Sequence, residues 1–355
     1  MRNALIASHV PDPLDRLDSL VERIWLRAEA VDRMAAFPHE DVADLVESGI
    51  VTAIAQRLDA GAMPLLRAIG GASLTVGRLI EGHLNANKLI HVYGHRRNSI
   101  LLAEEVAAGR ISGVWNAERD GGVVATRVPG GYRLDGSKVR CSGAGIVRRP
   151  VVTARLNGAT LMVLPDMAAS GATTDLTVWR AAGMRGTATG DVVFDGVEVA
   201  DDAVIGNPDD YYRSPWFSGG AWRVIAVQLG GLDRLMALHA GRLKDDAVSR
   251  HRFAAAAGAH ECARLIVAEA ARRAEGDGDA AAIDAYVDLA RTTFETAALT
   301  IIDATRRNIG LSTFIAPDPL DRCMRDLETY LRQPFLDASR DNSARWLATH
   351  GGRFT

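Results

Sequence analysis

The sequence of 355 residues has little cysteine, only Cys141, Cys262 and Cys323. An odd, widely spaced set makes no disulfide framework and points to a reducing compartment. Neither sign of charge dominates: 41 Lys and Arg stand against 44 Asp and Glu, a net charge of -3. That balance argues against a dedicated nucleic-acid or polyanion binder, which needs a basic excess on one face. No stretch reaches the roughly 18 unbroken apolar residues of a membrane span. The opening MRNALIASHVPDPLDRLD is broken by Pro11 and Pro13 before any long apolar run, so it does not read as a signal peptide. These absences give the expectation of a soluble, cytoplasmic protein.

Chemistry-bearing motifs are also scarce. There is no phosphate loop ending in Gly-Lys-Ser/Thr and no Gly-x-Ser-x-Gly elbow. The nine histidines and three cysteines have no metal-ligand spacing. His260-Glu261 begins like a zinc helix, but Arg264 stands where the second His belongs. Gly276, Gly278 and Ala281 match a dinucleotide fingerprint formally, yet Asp277 and Asp279 beside them would repel phosphates and no strand precedes them. His83 reads as a partly buried helix residue satisfied by a neighbour.

What is present is an ordinary globular composition, 48% apolar and 24% charged. At roughly 150 residues per domain, two or three domains are expected. Residues 1–110 have helical texture. Pro38, Glu40 and Asp41 open one helix, with Val42, Leu45, Val46 and Ile50 at helical spacing and Gly49 near its end. A second runs from Met63 to Tyr93 and closes at Gly94, and a third covers Asn98 to Ala108. Residues 111–208 are rich in Val, Thr and Gly. Strand pairs flank Pro129-Gly130-Gly131, Asn157-Gly158 and Asp195-Gly196, which reads as a small antiparallel sandwich or barrel. Helical texture returns over residues 209–355, at Ala221–Arg242, Arg250–Ala274, Ala281–Arg306 and Leu320–Leu347, the last interrupted at Pro334. Four long helices in sequence suggest a bundle. The fold class is therefore α+β and multidomain: an N-terminal α-helical domain, a central β domain and a C-terminal four-helix bundle.

Four blocks give this order a family resemblance. They are GRISGVWNAE (109–118), GYRLDGSKVRCSG (131–143), AAGMRGTATGDVVFDGVEV (181–199) and DPLDRCMRD (318–326). The second and third are the more specific. Along nearly its whole length the chain resembles the acyl-CoA dehydrogenase superfamily of flavoproteins. The resemblance implies FAD, or FMN, held by a strand end and an adjacent strand that meet the polar edge of the flavin ring. It implies cofactor contacts from Asn116, Ala117 and Glu118 at the pyrimidine edge, and from Arg140, Cys141 and Ser142 near N5. Arg140 replaces the usual Trp or Phe against the ring. A guanidinium can stack there, and its charge favours an anionic reduced flavin.

The same resemblance exposes departures. A dehydrogenase of this type needs a carboxylate base to take the α proton of its thioester. Counting forward from Arg325-Asp326 places that base near Pro334, where no Glu stands. The alternative position on the long helix holds Trp222, next to Arg223, which matches a family Arg. Trp222 and Arg223 are the expected substrate contacts. Glu328, Asp326 or Asp337 could replace the base, but each also reads as a surface or ion-pair group. The segment that helps hold the adenine half of FAD is not recognisable in GRLKDDAVSRHRFAAAAG (241–258), and RDGGVVATR (119–127) has no Ser for the CoA phosphate.

Three functions follow as expectations. The first is α,β-dehydrogenation of an acyl-CoA, an acyl-carrier thioester or a related small molecule. The second is a monooxygenase using reduced flavin, which needs a dry pocket and no Glu base. The third is a non-catalytic protein that keeps the fold. The apolar stripe Ile283, Val287, Ala290, Phe294, Ala297 and Ile301, together with the apolar 221–242 helix, suggests burial in a second subunit and so a homodimer or homotetramer.

Overall fold

The computed structural model describes residues 13–119, 121–168, 171–332 and 335–354. Pro11, Asp120 and Pro334, used above, lie outside the described residues. Six helices come first: α1 (Leu17–Met34), α2 (His39–Glu47), α3 (Ile50–Gln56), α4 (Met63–Ala72), α5 (Leu74–Tyr93) and α6 (Arg96–Ala107). The expected single helix from Met63 to Tyr93 is two, broken at Ser73. That residue is extended, and its hydroxyl accepts the Val76 N–H at 3.3 Å, so it caps α5.

Eight strands follow: β1 (Val114–Trp115), β2 (Val123–Val128), β3 (Gly131–Cys141), β4 (Val151–Leu156), β5 (Ala159–Val163), β6 (Ala172–Asp175), β7 (Gly190–Ala200) and β8 (Val204–Ile205). They form one sheet in the order β6-β7-β3-β2-β4-β5-β8, with β1 joined to β4. The hairpins at residues 129–131 and 157–158 are present, as β2 pairs antiparallel with β3 and β4 with β5. The sheet is mixed rather than purely antiparallel, because β1 and β2 each run parallel to β4. The turn expected at Asp195-Gly196 is instead a bulge inside β7. Gly196 takes φ 69, the register against β3 shifts there, and the Asp135 carboxylate accepts the Gly196 N–H at 2.9 Å.

Six more helices complete the chain: α7 (Trp216–Gly219), α8 (Trp222–Ala240), α9 (Ala247–Ala274), α10 (Ala280–Ile309), α11 (Pro319–Tyr330) and α12 (Leu336–Thr349). Asp279 caps α10 by accepting the Ala282 N–H at 2.8 Å, so the Gly276–Ala281 segment is a helix-to-helix connection with no strand before it. None of the helices in the described residues is long and apolar enough to cross a membrane.

The first and last helical segments share one hydrophobic core, in which Leu66, Ile69 and Ile80 pack with Val227, Leu229 and Phe294. At its centre α4 crosses α8 through glycines. A Cβ on Gly70 would run into the Val227 carbonyl, and one on Gly230 into the Arg67 carbonyl. Arg67 closes the same crossing with a bidentate pair to Asp233 at 2.5 and 2.8 Å, and His260 Nε2 meets Asp233 at 2.7 Å. His260 is thereby a structural partner, and Glu261 pairs outward with Arg264. The stripe Ile283–Ile301 faces this core and every member of it is buried within the chain, so it is not a surface for a second subunit. A second core, under the sheet, joins Val152, Phe194 and Val197 to Leu89, Ile90 and Leu102 of α5 and α6. Because α5 contributes to both cores, it sets the space between sheet and helices.

Candidate functional site

That space is a cavity of about 930 Å³, bordered by the ends of β1 and β3 on one side and by α5, α7, α8, α10, α11 and α12 on the other. It lies within the range of small-molecule and cofactor pockets.

The sheet wall is built by strand alternation. Arg140 and Ser142 both border the cavity, whereas Cys141 between them points the opposite way into the core beneath the sheet. Burial pushes the Cys141 thiol up, and the residue is a packing element of this wall. Arg140 has φ 54, and the β3 register against β7 shifts between Lys138 and Cys141. This irregularity turns Val139 and Arg140 out of the regular ladder towards the cavity, and Cys141 rejoins it opposite Gly190. Trp115 Nε1 donates to the Ser142 carbonyl at 3.0 Å, and the Thr189 hydroxyl donates to the Ser142 hydroxyl at 3.4 Å.

Asn116, Ala117 and Glu118 follow β1 and also border the cavity. Two contacts hold them against β3. The Ala117 carbonyl accepts the Val139 N–H at 2.9 Å. Lys138, with its side chain 1% exposed, donates to the Asn116 carbonyl at 3.2 Å, to Glu118 at 3.0 Å and to Thr153 at 2.9 Å. Asn116 Oδ1 in turn accepts from Thr153 and from Tyr212. The lysine of the GYRLDGSKVRCSG block therefore fixes the strand end that the first block supplies. Burial lowers the Lys138 ammonium from its ordinary value.

On the helical wall, Arg223 borders the cavity and Trp222 does not. Trp222 is fully buried, and its indole donates to Glu275 at 3.0 Å. Arg223 pairs with the same carboxylate, and burial lowers its guanidinium. Around them stands a polar set that sequence reasoning missed. Glu81 accepts from Arg78, from Asn85 and, at 3.5 Å, from the Tyr330 hydroxyl, which burial raises well above its usual value. Lys88 donates to Glu275 at 2.7 Å and to the Leu58 carbonyl at 2.8 Å. The signal was available: Arg78, Glu81, Asn85 and Lys88 recur at alternating spacings of three and four within an otherwise apolar helix, which places them on one face. Aromatic residues complete the lining. Tyr211, Tyr212 and Phe217 pack with ring centroids 5.0 to 5.2 Å apart, and Trp179 and Trp216 also border the space.

None of the three replacement bases borders the cavity. Glu328 forms a bidentate pair with Arg306 at 2.7 and 2.8 Å. Asp337 is exposed and pairs with Arg340. Asp326 is buried and accepts the Met184 N–H, and burial raises its carboxyl to about 6. His83 is a staple between α5 and β1. Its Nδ1 accepts the Ser112 N–H at 2.9 Å, Asn87 lies 3.1 Å from Nε2, and burial lowers the ring to about 4.

A flavin fits this wall on two observations. The strand end Asn116–Glu118 and the bulge at Arg140–Ser142 reach one cavity side by side, and the cavity holds the volume of a tricyclic ring with room for a small substrate.

No protein-family model matches the chain, and no curated protein matches it in sequence. Solved structures do. FMN-bound TdsC, the dibenzothiophene monooxygenase of Paenibacillus sp. A11-2, is 19% identical over 97% of this chain and 98% of its own, with a TM-score of 0.85. Butyryl-CoA dehydrogenase from Megasphaera elsdenii is 16% identical over 96% of this chain and 99% of its own, at 0.82. The nitrososynthase of Micromonospora carbonacea var. africana is 21% identical over 96% and 95%, at 0.78. The chain has the acyl-CoA dehydrogenase-like fold. At 16–21% identity the likeness to these structures is one of fold.

Proposed function

We propose that the protein is a flavin-dependent oxidoreductase acting on a small, largely aromatic substrate, with reduced flavin and O₂ as its co-reactants. The observation that carries this reading is the state of the cavity's carboxylates. Among the described lining residues, Glu81 is held by Arg78, Asn85 and Tyr330, Asp288 by Ser339, Arg291 and Asn342, and Glu118 by Lys138 and Arg155. Each already has cationic and hydrogen-bonding partners, so none stands ready to take a proton from carbon. The aromatic lining supports a flat substrate, and the FMN-bound neighbour is itself a monooxygenase. Asn116, Ala117, Glu118, Arg140 and Ser142 would border the flavin, with Arg223 on the substrate side. When bound, the flavin would supply O₂ activation, one oxygen atom entering the substrate and the other leaving as water. The residues of the chain would orient the substrate and keep bulk water out.

Glu81 supports a second reading. It is a buried carboxylate on the cavity wall, and in an α,β-dehydrogenation of an acyl thioester it would be the base only after giving up its contacts with Arg78 and Asn85. FMN suits a chain in which the adenine-holding segment is not recognisable better than FAD does, and both belong to the test. A homodimer or homotetramer is part of the proposal, supported by Leu311, Phe314 and Ile315, which stand 74, 56 and 53% exposed between α10 and α11. Light scattering tests it, and a monomer refutes it. A cytoplasmic location is proposed from the scarcity of cysteine.

The experiment is titration of the purified protein with FMN and FAD, followed by two assays. Turnover that requires NADH, a flavin reductase and O₂ supports the monooxygenase. Anaerobic bleaching of bound flavin by an acyl-CoA supports the dehydrogenase. A protein that takes up neither flavin refutes both.

A further inference from the structure

We propose that the helical floor of the cavity is a binding site for an anionic group of the substrate, of which a carboxylate fits best. The proposal deepens the functional reading above and rests on it for the identity of the ligand as substrate.

The charges of the floor do not balance. Arg78, Lys88 and Arg223 all border the cavity. Their carboxylate partners among the described residues are Glu81, paired with Arg78, and Glu275, which serves both Lys88 and Arg223. Three cations share two anions, and one positive charge is left over. The excess is not relieved by water. At Lys88 and Arg223 the side chains are only 11 and 3% exposed, with Glu275 at 6% and Glu81 at 1%; Arg78, at 26%, is the one cation of the three that solvent reaches. A desolvated charge without a counter-charge is costly, and a ligand that supplies the counter-charge recovers that cost on binding.

Hydrogen bonding points the same way. Arg223 is incompletely satisfied: one terminal nitrogen meets Glu275, the other reaches Asn85 Oδ1 only at 3.5 Å, and Nε is buried with no partner among the described residues. The rest of the helical wall offers no compensation. There Asp288 is matched to Arg291, and Arg332 to Glu295. The uncompensated charge therefore sits on α5 and α8, next to Trp216, in a cavity that Tyr211 also lines. Lys88 lies 4.7 Å from the Trp216 ring centroid. A flat molecule resting on these rings would direct an acidic substituent at the cationic floor, and a planar carboxylate suits the fork of a guanidinium.

The test compares indole-3-carboxylate with indole-3-carboxamide, which share shape and differ in charge. Binding is followed by calorimetry on the protein with and without FMN. The acid should bind at least tenfold more tightly than the amide. In Arg223→Gln, which removes one cation and leaves Arg78 and Lys88 matched by Glu81 and Glu275, that preference should fall to threefold or less. Equal affinity for acid and amide in the unmodified protein overturns the proposal, whether or not the variant folds. Failure to take up flavin overturns the functional reading instead, and the anion preference is then decided on the flavin-free protein.

Discussion

Asp326 accepts the backbone N–H of Met184 through Oδ1 at 2.6 Å, joining α11 to the loop that precedes β7. Thr329 repeats the link one turn later by accepting the Gly183 N–H at 3.1 Å. Gly183 lies so close to α11 that a Cβ there would meet the Arg325 carbonyl. Two of the sequence blocks that mark this fold, at 181–199 and 318–326, are thus halves of one joint. Arg325 braces it with Asp32 at 2.7 Å and with the Ala182 carbonyl at 2.7 Å. The joint holds Met184 and Thr187, which border the cavity.

The joint has a pH signature. Burial raises the Asp326 carboxyl from 3.8 to about 6. The folded state therefore holds its proton more tightly than the unfolded chain, and this residue's contribution improves as pH falls from 7 to 4. In Asp326→Asn that contribution is absent. The difference in unfolding free energy, wild type minus variant, should move in favour of the wild type by about 3 kcal/mol over that window. Denaturant unfolding at pH 4, 5, 6 and 7 measures it, and a difference that stays flat refutes the assignment.

His83 should show the opposite sign. Its ring is lowered from 6.5 to about 4, so it is neutral in the fold and charged in the unfolded chain between those values. Its stabilisation is present in full above pH 6.5 and is lost as pH falls towards 4. Relative to His83→Asn, which keeps an acceptor for the Ser112 N–H, the wild type should lose about 3 kcal/mol across that range. The same unfolding series reads it, and a difference that rises with acidification excludes a neutral buried His83.

The glycines of the helix crossing give a sharper contrast. Gly230 faces the Arg67 carbonyl and the Gly71 backbone, atoms that cannot step aside. Gly230→Ala should cost about 3 kcal/mol through overpacking at the α4–α8 contact. Gly258, inside α9, has open space where a Cβ would stand, so Gly258→Ala should stabilise by roughly 0.5–1 kcal/mol through helix propensity. Thermal unfolding of the two variants should move in opposite directions.

The order of helices, strands and helices was legible because each segment repeats its period many times, and the hairpin turns at 129–131 and 157–158 carry their own residue signals. The Asp195-Gly196 pair carries the same signal and makes a bulge, because Asp135 on the neighbouring strand holds the Gly196 N–H and no local feature shows that partner. The sheet half of the site was legible as sequence blocks, since Asn116, Ala117, Glu118, Arg140 and Ser142 lie in two short stretches. The helical half was not. Beyond Arg223, which the resemblance pointed to, Glu81 and Tyr330 come from α5 and α11, and only the shared core brings them together. The apolar stripe of α10 read as a subunit surface for the same reason: periodicity shows that a face is buried, not which helix buries it.

Lys138 offers the most direct test of how the sheet wall is assembled. Its ammonium is the shared donor for the Asn116 carbonyl, Glu118 and Thr153. Lys138→Met keeps the apolar stem and removes all three bonds, so Asn116 and Glu118 lose their tie to β3 beyond the Ala117 carbonyl contact. As a positioning residue Lys138 should act on flavin affinity: the FMN dissociation constant should rise at least tenfold while the far-ultraviolet circular dichroism stays that of the wild type. Arginine should not rescue it, because its larger planar fork cannot occupy a pocket in which the lysine is 1% exposed. A variant that folds and binds FMN as tightly as the wild type would show that the strand end holds its geometry without the lysine.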